Sequence, residues 1–172
     1  MIQSIVVKTA PNSRSQAILQ IGPLRIRAAL GRSGIATRKR EGDGKTPVGS
    51  MALLYGYWRR DRGPKPVTLL DMHPLGTGDL WCDASTHPAY NRFVRAPFKA
   101  SHETMMREDG LYDICIVLDW NIRARRRGGG SAIFLHVARP GYKPTEGCIA
   151  ISRRDMHRLL KAVGAATRVD TR

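Results

Sequence analysis

Alternation of apolar and polar positions is clearest in "LRIRAAL", residues 24–30, where Leu24, Ile26, Ala28 and Leu30 are separated by Arg25, Arg27 and Ala29. A period of two, with arginines on one face and aliphatics on the other, predicts a strand half buried in a sheet. A second strand is expected over residues 4–8, "SIVVK", and apolar runs bounded by Gly, Pro or charge recur at "SMALLYGYW", "YDICIVLDW" and "AIFLHVA". The segments "TAPNSRSQ" and "GP" between the first two strands read as turns. Helical periodicity is confined to two stretches. Ser101 is placed to cap a short helix over "HETMMRED". In "SRRDMHRLLKAVG", Ser152 stands at the N-cap with Asp155 three residues on, Met156, Leu159, Leu160 and Val163 follow at i, i+3, i+4 and i+7, and Gly164 is the stop. The pattern predicts a mainly β fold with a few short helices, and 172 residues suit a single domain with its own core.

Composition changes this picture in one respect. Hydrophobic residues at 42% and charged residues at 25% are ordinary for a folded chain, but 29 Lys and Arg against 14 Asp and Glu leave a formal charge of +15. Such a surface attracts nucleic acid, anionic lipid and acidic wall polymers alike, so charge by itself names no partner. The densest basic run, Arg123 to Arg127, has no interleaved aromatic residues and reads as a solvated loop. No nucleic-acid recognition module is visible, and a non-catalytic basic binding domain stands only as the alternative to an enzyme. The N-terminus lacks a basic segment followed by an apolar core, and no stretch approaches the ~18 apolar residues of a membrane span.

Three cysteines, Cys82, Cys115 and Cys148, occur without a CxxC pair, which removes the common structural zinc and thioredoxin-type signatures. Cys148 lies in "GYKPTEGCIAIS" between a glycine and an apolar run, and can be a buried filler, a metal ligand or a nucleophile. A nucleophilic thiol needs a base, because at its ordinary pKa of about 8.5 it is mostly protonated near neutrality. His136 ends the run "SAIFLHVA" twelve positions upstream, and a strand, a loop holding two prolines and a second strand would bring the two together. Gly147 lets an acyl group approach the backbone, so the N–H groups of Gly147 and Cys148 are the expected oxyanion donors.

The run Gly130–Ile151, "GSAIFLHVARPGYKPTEGCIAI", resembles the active-site signature of the L,D-transpeptidase catalytic domain, or YkuD-like, family: a His followed after a loop by Ser or Thr, His, Gly, Cys and a hydrophobic residue. The matching positions are His136, Thr145, Gly147, Cys148 and Ile149. "GRSGIATRKREGDGKTPVGSMAL" resembles the family's acidic "DGxTPxG" element, with Glu41, Asp43, Gly44, Thr46, Pro47 and Gly49 in place, and the likeness runs over about residues 20–160. It implies a β-sandwich of mixed sheets in one domain. The implied reaction is acyl transfer on a peptidoglycan stem tetrapeptide, in which Cys148 forms a thioester, an amine on a neighbouring stem resolves it into a 3→3 cross-link, His136 moves the proton, and the carbonyl of Val137 orients the imidazole. With water as acceptor the same groups make an L,D-carboxypeptidase. The resemblance further implies inhibition by carbapenems, no cofactor or metal, a monomer, and a place in the periplasm or cell envelope although no signal peptide is visible. Tyr90, Asn91, Glu103, Tyr112, Thr145 and Glu146 are the candidate substrate contacts. Two departures stand out: Glu146 replaces the signature's second His, and Ala150 replaces a polar residue common two places after the Cys. A carboxylate facing the oxyanion would oppose catalysis, so Glu146 is expected to turn away, toward Arg139 or Lys143.

Overall fold

The computed structural model describes residues 2–172. In chain order its strands are β1 (Ser4–Thr9), β2 (Gln16–Ile21), β3 (Leu24–Ala29), β4 (Ile35–Ala36), β5 (Thr46–Pro47), β6 (Gly49–Trp58) and β7 (Met72–Pro74). After these come β8 (Asp79–Cys82), β9 (Arg92–Arg95), β10 (His102–Thr104), β11 (Ile114–Leu118), β12 (Phe134–Val137), β13 (Ile149–Ile151), the helix α1 (Arg153–Leu160) and β14 (Arg168–Thr171).

The fold is mainly β, and its large sheet is mixed. It runs β11-β12-β13-β3-β2-β1-β14-β6-β7 and closes on itself because β6 also pairs with β11. Closure leaves the short β7 as the edge strand of this sheet. The interior is filled from alternate positions: Ile5 and Val7 of β1, Ala17, Leu19 and Ile21 of β2, and Ile26 and Ala28 of β3 are all buried. Strand β2 shows the same alternation as β1 and β3, with Gln16, Ile18 and Gln20 outward, and it lies in a stretch partly read from sequence as turn. Helix α1 adds Met156, Leu159 and Leu160 to this interior, each contributing about 1.5–3 kcal/mol on full burial. Its start is the expected one: Ser152 Oγ accepts from the Asp155 N–H at 3.1 Å and donates to the Asp155 carboxylate at 2.7 Å. It ends at Leu160, one turn before Gly164, while Val163 remains fully buried.

A second core lies outside the closed sheet. Strand β11 is buried throughout, with Ile114, Ile116 and Leu118 in the interior cluster and Cys115 and Val117 in the outer one. An uninterrupted apolar strand is what burial on both faces requires. The outer cover is the antiparallel sheet β10-β8-β9, from which Trp81 meets Phe134 edge to face at 5.0 Å. Strand β6 serves both cores by changing face: its register to β11 shifts between Val117 and Leu118, so Met51 and Leu53 point inward and Tyr55 and Tyr57 outward. The helix expected after Ser101 is replaced by β10, whose His102 and Glu103 pair with Cys82 and Trp81. Pairing with β8 and complete burial of Met105 outweigh a local cap signal.

Candidate active site

Directly opposed residues on adjacent strands share a face. Tyr57 of β6, Cys115 of β11, His136 of β12 and Ala150 of β13 form such a row, which puts the imidazole on the outer face beside the second core. Cys148 stands one residue before β13, level with Phe134, and belongs to that same outer cluster. A cleft of about 380 Å³ opens here, and both Cys148 and His136 line it.

The imidazole is fixed by its own chain. Its Nδ1 lies 2.9 Å from the carbonyl of Val137, which makes Nδ1–H the donor and leaves Nε2 as the free base; among the described residues Nε2 has no partner. Tyr112 holds the ring from the side, edge to face at 5.4 Å. Burial lowers the imidazole to about 4, and the nearby Arg107 adds to that effect. The thiol sits in a matching resting state. Its Sγ donates to the Ala132 carbonyl at 3.1 Å and accepts from the Phe134 N–H at 3.4 Å. Burial, reinforced by the Glu103 carboxylate, pushes the thiol up to about 12. Both groups are therefore neutral over the whole physiological range.

The turn before Cys148 is built by the two sequence motifs together. Thr145 bridges to Gly31 in parallel, with Thr145 N–H on the Leu30 carbonyl at 2.8 Å and Arg32 N–H on the Thr145 carbonyl at 2.9 Å. The buried Thr46 of the "DGKTPVG" loop accepts from the Gly31 N–H at 2.9 Å. Gly147 has φ +141°, and a Cβ there would come within 2.8 Å of the Lys45 carbonyl, so only glycine fits. Lys39 supports the turn from below. Its Nζ donates to Asp43 and to the Arg40 carbonyl, both at 2.6 Å, while its stem lies 3.6 Å from the same Gly147 position. Burial alone would raise the Asp43 carboxyl, but the bonds from Lys39, Lys45 and Arg40 hold it below its ordinary value.

The other expected contacts divide. Tyr112 lines the cleft and donates to Glu103, and Thr145 lines it as well. The Thr145 hydroxyl, however, donates to the Cys148 carbonyl at 2.6 Å and accepts from the Gly147 N–H at 3.2 Å. The Gly147 donor is thus used inside the turn in this state. Glu146 faces solvent at the rim and is paired with Arg32, whereas Arg139 lies 3.7 Å from Asp109. The partner is not the expected Arg139 or Lys143, because β3 runs on into Arg32 alongside the Thr145 turn. Tyr90 does not line the cleft and reaches it through a hydrogen bond to Glu41, which does. Asn91 is buried at 1% exposure and is a framework residue: its Oδ1 accepts from the Trp81 indole and the Ala132 N–H, both at 3.0 Å, and its Nδ2 donates to the Trp120 carbonyl at 3.1 Å. It thereby holds Ala132, the acceptor of the thiol. Sequence reading missed Ala132, Lys39 and Arg107, since nothing in the linear pattern marks a backbone carbonyl or a buried lysine as part of a site.

Residues 5–170 match the L,D-transpeptidase catalytic domain family, YkuD, and the chain belongs to that family. By sequence it matches none of the curated proteins. Among solved structures it is similar to L,D-transpeptidase 1 of Mycobacterium tuberculosis (11% identity, 98% of this chain and 61% of that one, TM-score 0.43). It is also similar to an L,D-transpeptidase from Mycobacterium smegmatis (11% identity, 98% and 58%, TM-score 0.45). A third is L,D-transpeptidase 3 of M. tuberculosis (14% identity, 98% and 60%, TM-score 0.45). The chain spans about three fifths of the length of these structures. No helix among the described residues is long and apolar enough to cross a membrane.

Proposed function

We propose that the chain is a cysteine-dependent L,D-transpeptidase that acts on peptidoglycan stem peptides in the periplasm or cell envelope. The observation that carries this reading is the shared cleft of Cys148 and His136, with the imidazole's Nδ1–H turned to its own backbone and Nε2 left to act as base. In the first half-reaction the thiol leaves the Ala132 carbonyl and passes its proton to Nε2 as sulfur attacks the amide after the third stem residue. The C–N bond breaks, the departing D-Ala nitrogen takes the proton back from the imidazolium, and the peptide remains as a thioester on Cys148. In the second half an amine of another stem forms the new C–N bond as C–S breaks, restoring the thiol and closing a 3→3 cross-link. A neutral pair suits this sequence, because a thiolate then exists only while the substrate excludes water. The oxyanion falls to the Cys148 N–H at the entry to β13.

The test is the pair Cys148→Ala and His136→Ala, assayed on disaccharide tetrapeptide by mass spectrometry of the products. Both variants are expected to lose D-Ala release and dimer formation. Parental turnover by either one contradicts the assignment.

A further inference from the structure

Four carboxylates that the acylation chemistry does not use line the cleft beside Cys148, along with Lys39, Arg107, Arg139 and Lys143; Glu146 is paired with Arg32 at the rim, and three remain. Glu41 comes from the "EGDGKTP" loop, Asp83 from the end of β8 and Glu103 from β10, and all three line it. In a chain with 29 Lys and Arg to 14 Asp and Glu, none of the three forms an ion pair among the described residues. Glu41 and Glu103 keep only the phenol hydrogen bonds from Tyr90 and Tyr112. They are close enough to affect one another: burial raises the Glu103 carboxyl, the Tyr112 hydrogen bond opposes the rise, and the charges of Asp83 and Glu41 add to it against Arg107. Arg107 itself is committed elsewhere, bonded twice to Asp109 at 2.9 and 2.5 Å.

A second observation points to an absent guest. Two buried side-chain polar atoms among the described residues have no hydrogen-bond partner, Asp83 Oδ1 and Ser131 Oγ, and both residues line this cleft. Ser131 is 7% exposed. Buried polar atoms without partners are rare and costly, so two in one cavity mark the place where a ligand's donors belong. No three His, Cys, Asp or Glu side chains among the described residues are grouped to hold a metal ion. The complementary guest is a larger cation with several N–H donors.

We infer that Glu41, Asp83 and Glu103, with Ser131, form the subsite for the primary ammonium of the acyl acceptor. The inference rests on the transpeptidase reading and assigns the residues that hold its amine acceptor. Bound there, R–NH₃⁺ lies next to the thioester and displaces water from the acidic side of the cleft. As the C–N bond forms and C–S breaks, the nitrogen sheds two protons. One passes through His136 to the sulfur, and the other goes to the carboxylates and out to solvent. Aminolysis is thereby favoured over hydrolysis.

Binding is measured first on the Cys148→Ala chain, in which no chemistry occurs, by calorimetric titration with 1,5-diaminopentane. Added Asp83→Asn is expected to weaken binding tenfold or more and added Ser131→Ala threefold or more, while Glu108→Gln, an exposed carboxylate outside the cleft, leaves it unchanged. In the active chain, Asp83→Asn should lower the ratio of aminolysis to hydrolysis of the acyl-enzyme tenfold or more. Undetectable binding, or equal binding in all variants, overturns the subsite. Diamine binding that Asp83→Asn weakens, in a chain that forms no acyl-enzyme, supports the subsite and removes the transpeptidase reading instead.

Discussion

The thiol of Cys148 is hydrogen-bonded to the carbonyl of Ala132, 3.1 Å away, although it shares its cleft with the imidazole of His136. With the thiol pushed up to about 12 and the imidazole down to about 4, the resting pair is thiol and neutral imidazole, not thiolate and imidazolium. Alkylation of Cys148 by iodoacetamide is therefore expected to be slow at pH 7 and to rise about tenfold per pH unit up to at least pH 10. A plateau with a midpoint near pH 6 or 7 would show a preformed ion pair. Measuring the rate by intact mass across pH 5–10 decides between them.

Asn91 holds this arrangement without touching the cleft. Replacing it with alanine leaves the Trp81 indole, the Ala132 N–H and the Trp120 carbonyl without their partner, and puts Ala at φ +56°. Three groups left without that partner predict a loss of about 3 kcal/mol in denaturant unfolding.

The Lys39–Asp43 pair gives an asymmetric prediction. Side-chain exposure is 2% for the lysine and 15% for the aspartate. Asp43→Ala strands a buried ammonium and is expected to cost about 3 kcal/mol or more. Lys39→Met keeps the stem that packs near Gly147 and leaves Asp43 its N–H donors from Arg40 and Lys45, so its cost should be clearly smaller. Equal costs from thermal unfolding would show that loss of the pair itself, and not the stranded ammonium, sets the effect.

Glu146 stands where the family signature has a histidine, and in this chain it is exposed at the rim and paired with Arg32. An exposed pair of this kind contributes little stability. Glu146→His is expected to leave the unfolding midpoint in place and to keep or raise turnover of the tetrapeptide. Complete loss of activity would assign the carboxylate a role in the reaction.

How much of this was legible in the sequence depends on the kind of interaction. Alternation in residues 4–8 and 24–30 and the Ser152–Asp155 cap reported structure that local patterning decides, and β1, β3 and α1 formed accordingly. The Ser101 segment went the other way because a distant strand, β8, set its conformation. The sheet β10-β8-β9 was invisible for a further reason: its strands are three or four residues long, too short for a period to register. Within the site, His136, Cys148 and the glycine turn are carried by residue type and spacing. Asn91 was singled out as a pocket residue, yet it acts from within the core. Ala132 acts through its carbonyl, which its side chain does not advertise, and the convergence of Glu41, Asp83 and Glu103 depends on three separate loops and strands meeting in space.

The central claim is that Cys148 carries the acyl group. Incubation of the chain with a tetrapeptide donor or a carbapenem, followed by intact-protein mass spectrometry and peptide mapping, tests it most directly. The account predicts one added acyl mass on the peptide that contains Cys148, absent from Cys148→Ala and strongly slowed in His136→Ala. An adduct on another residue, or an undiminished adduct in Cys148→Ala, would contradict it.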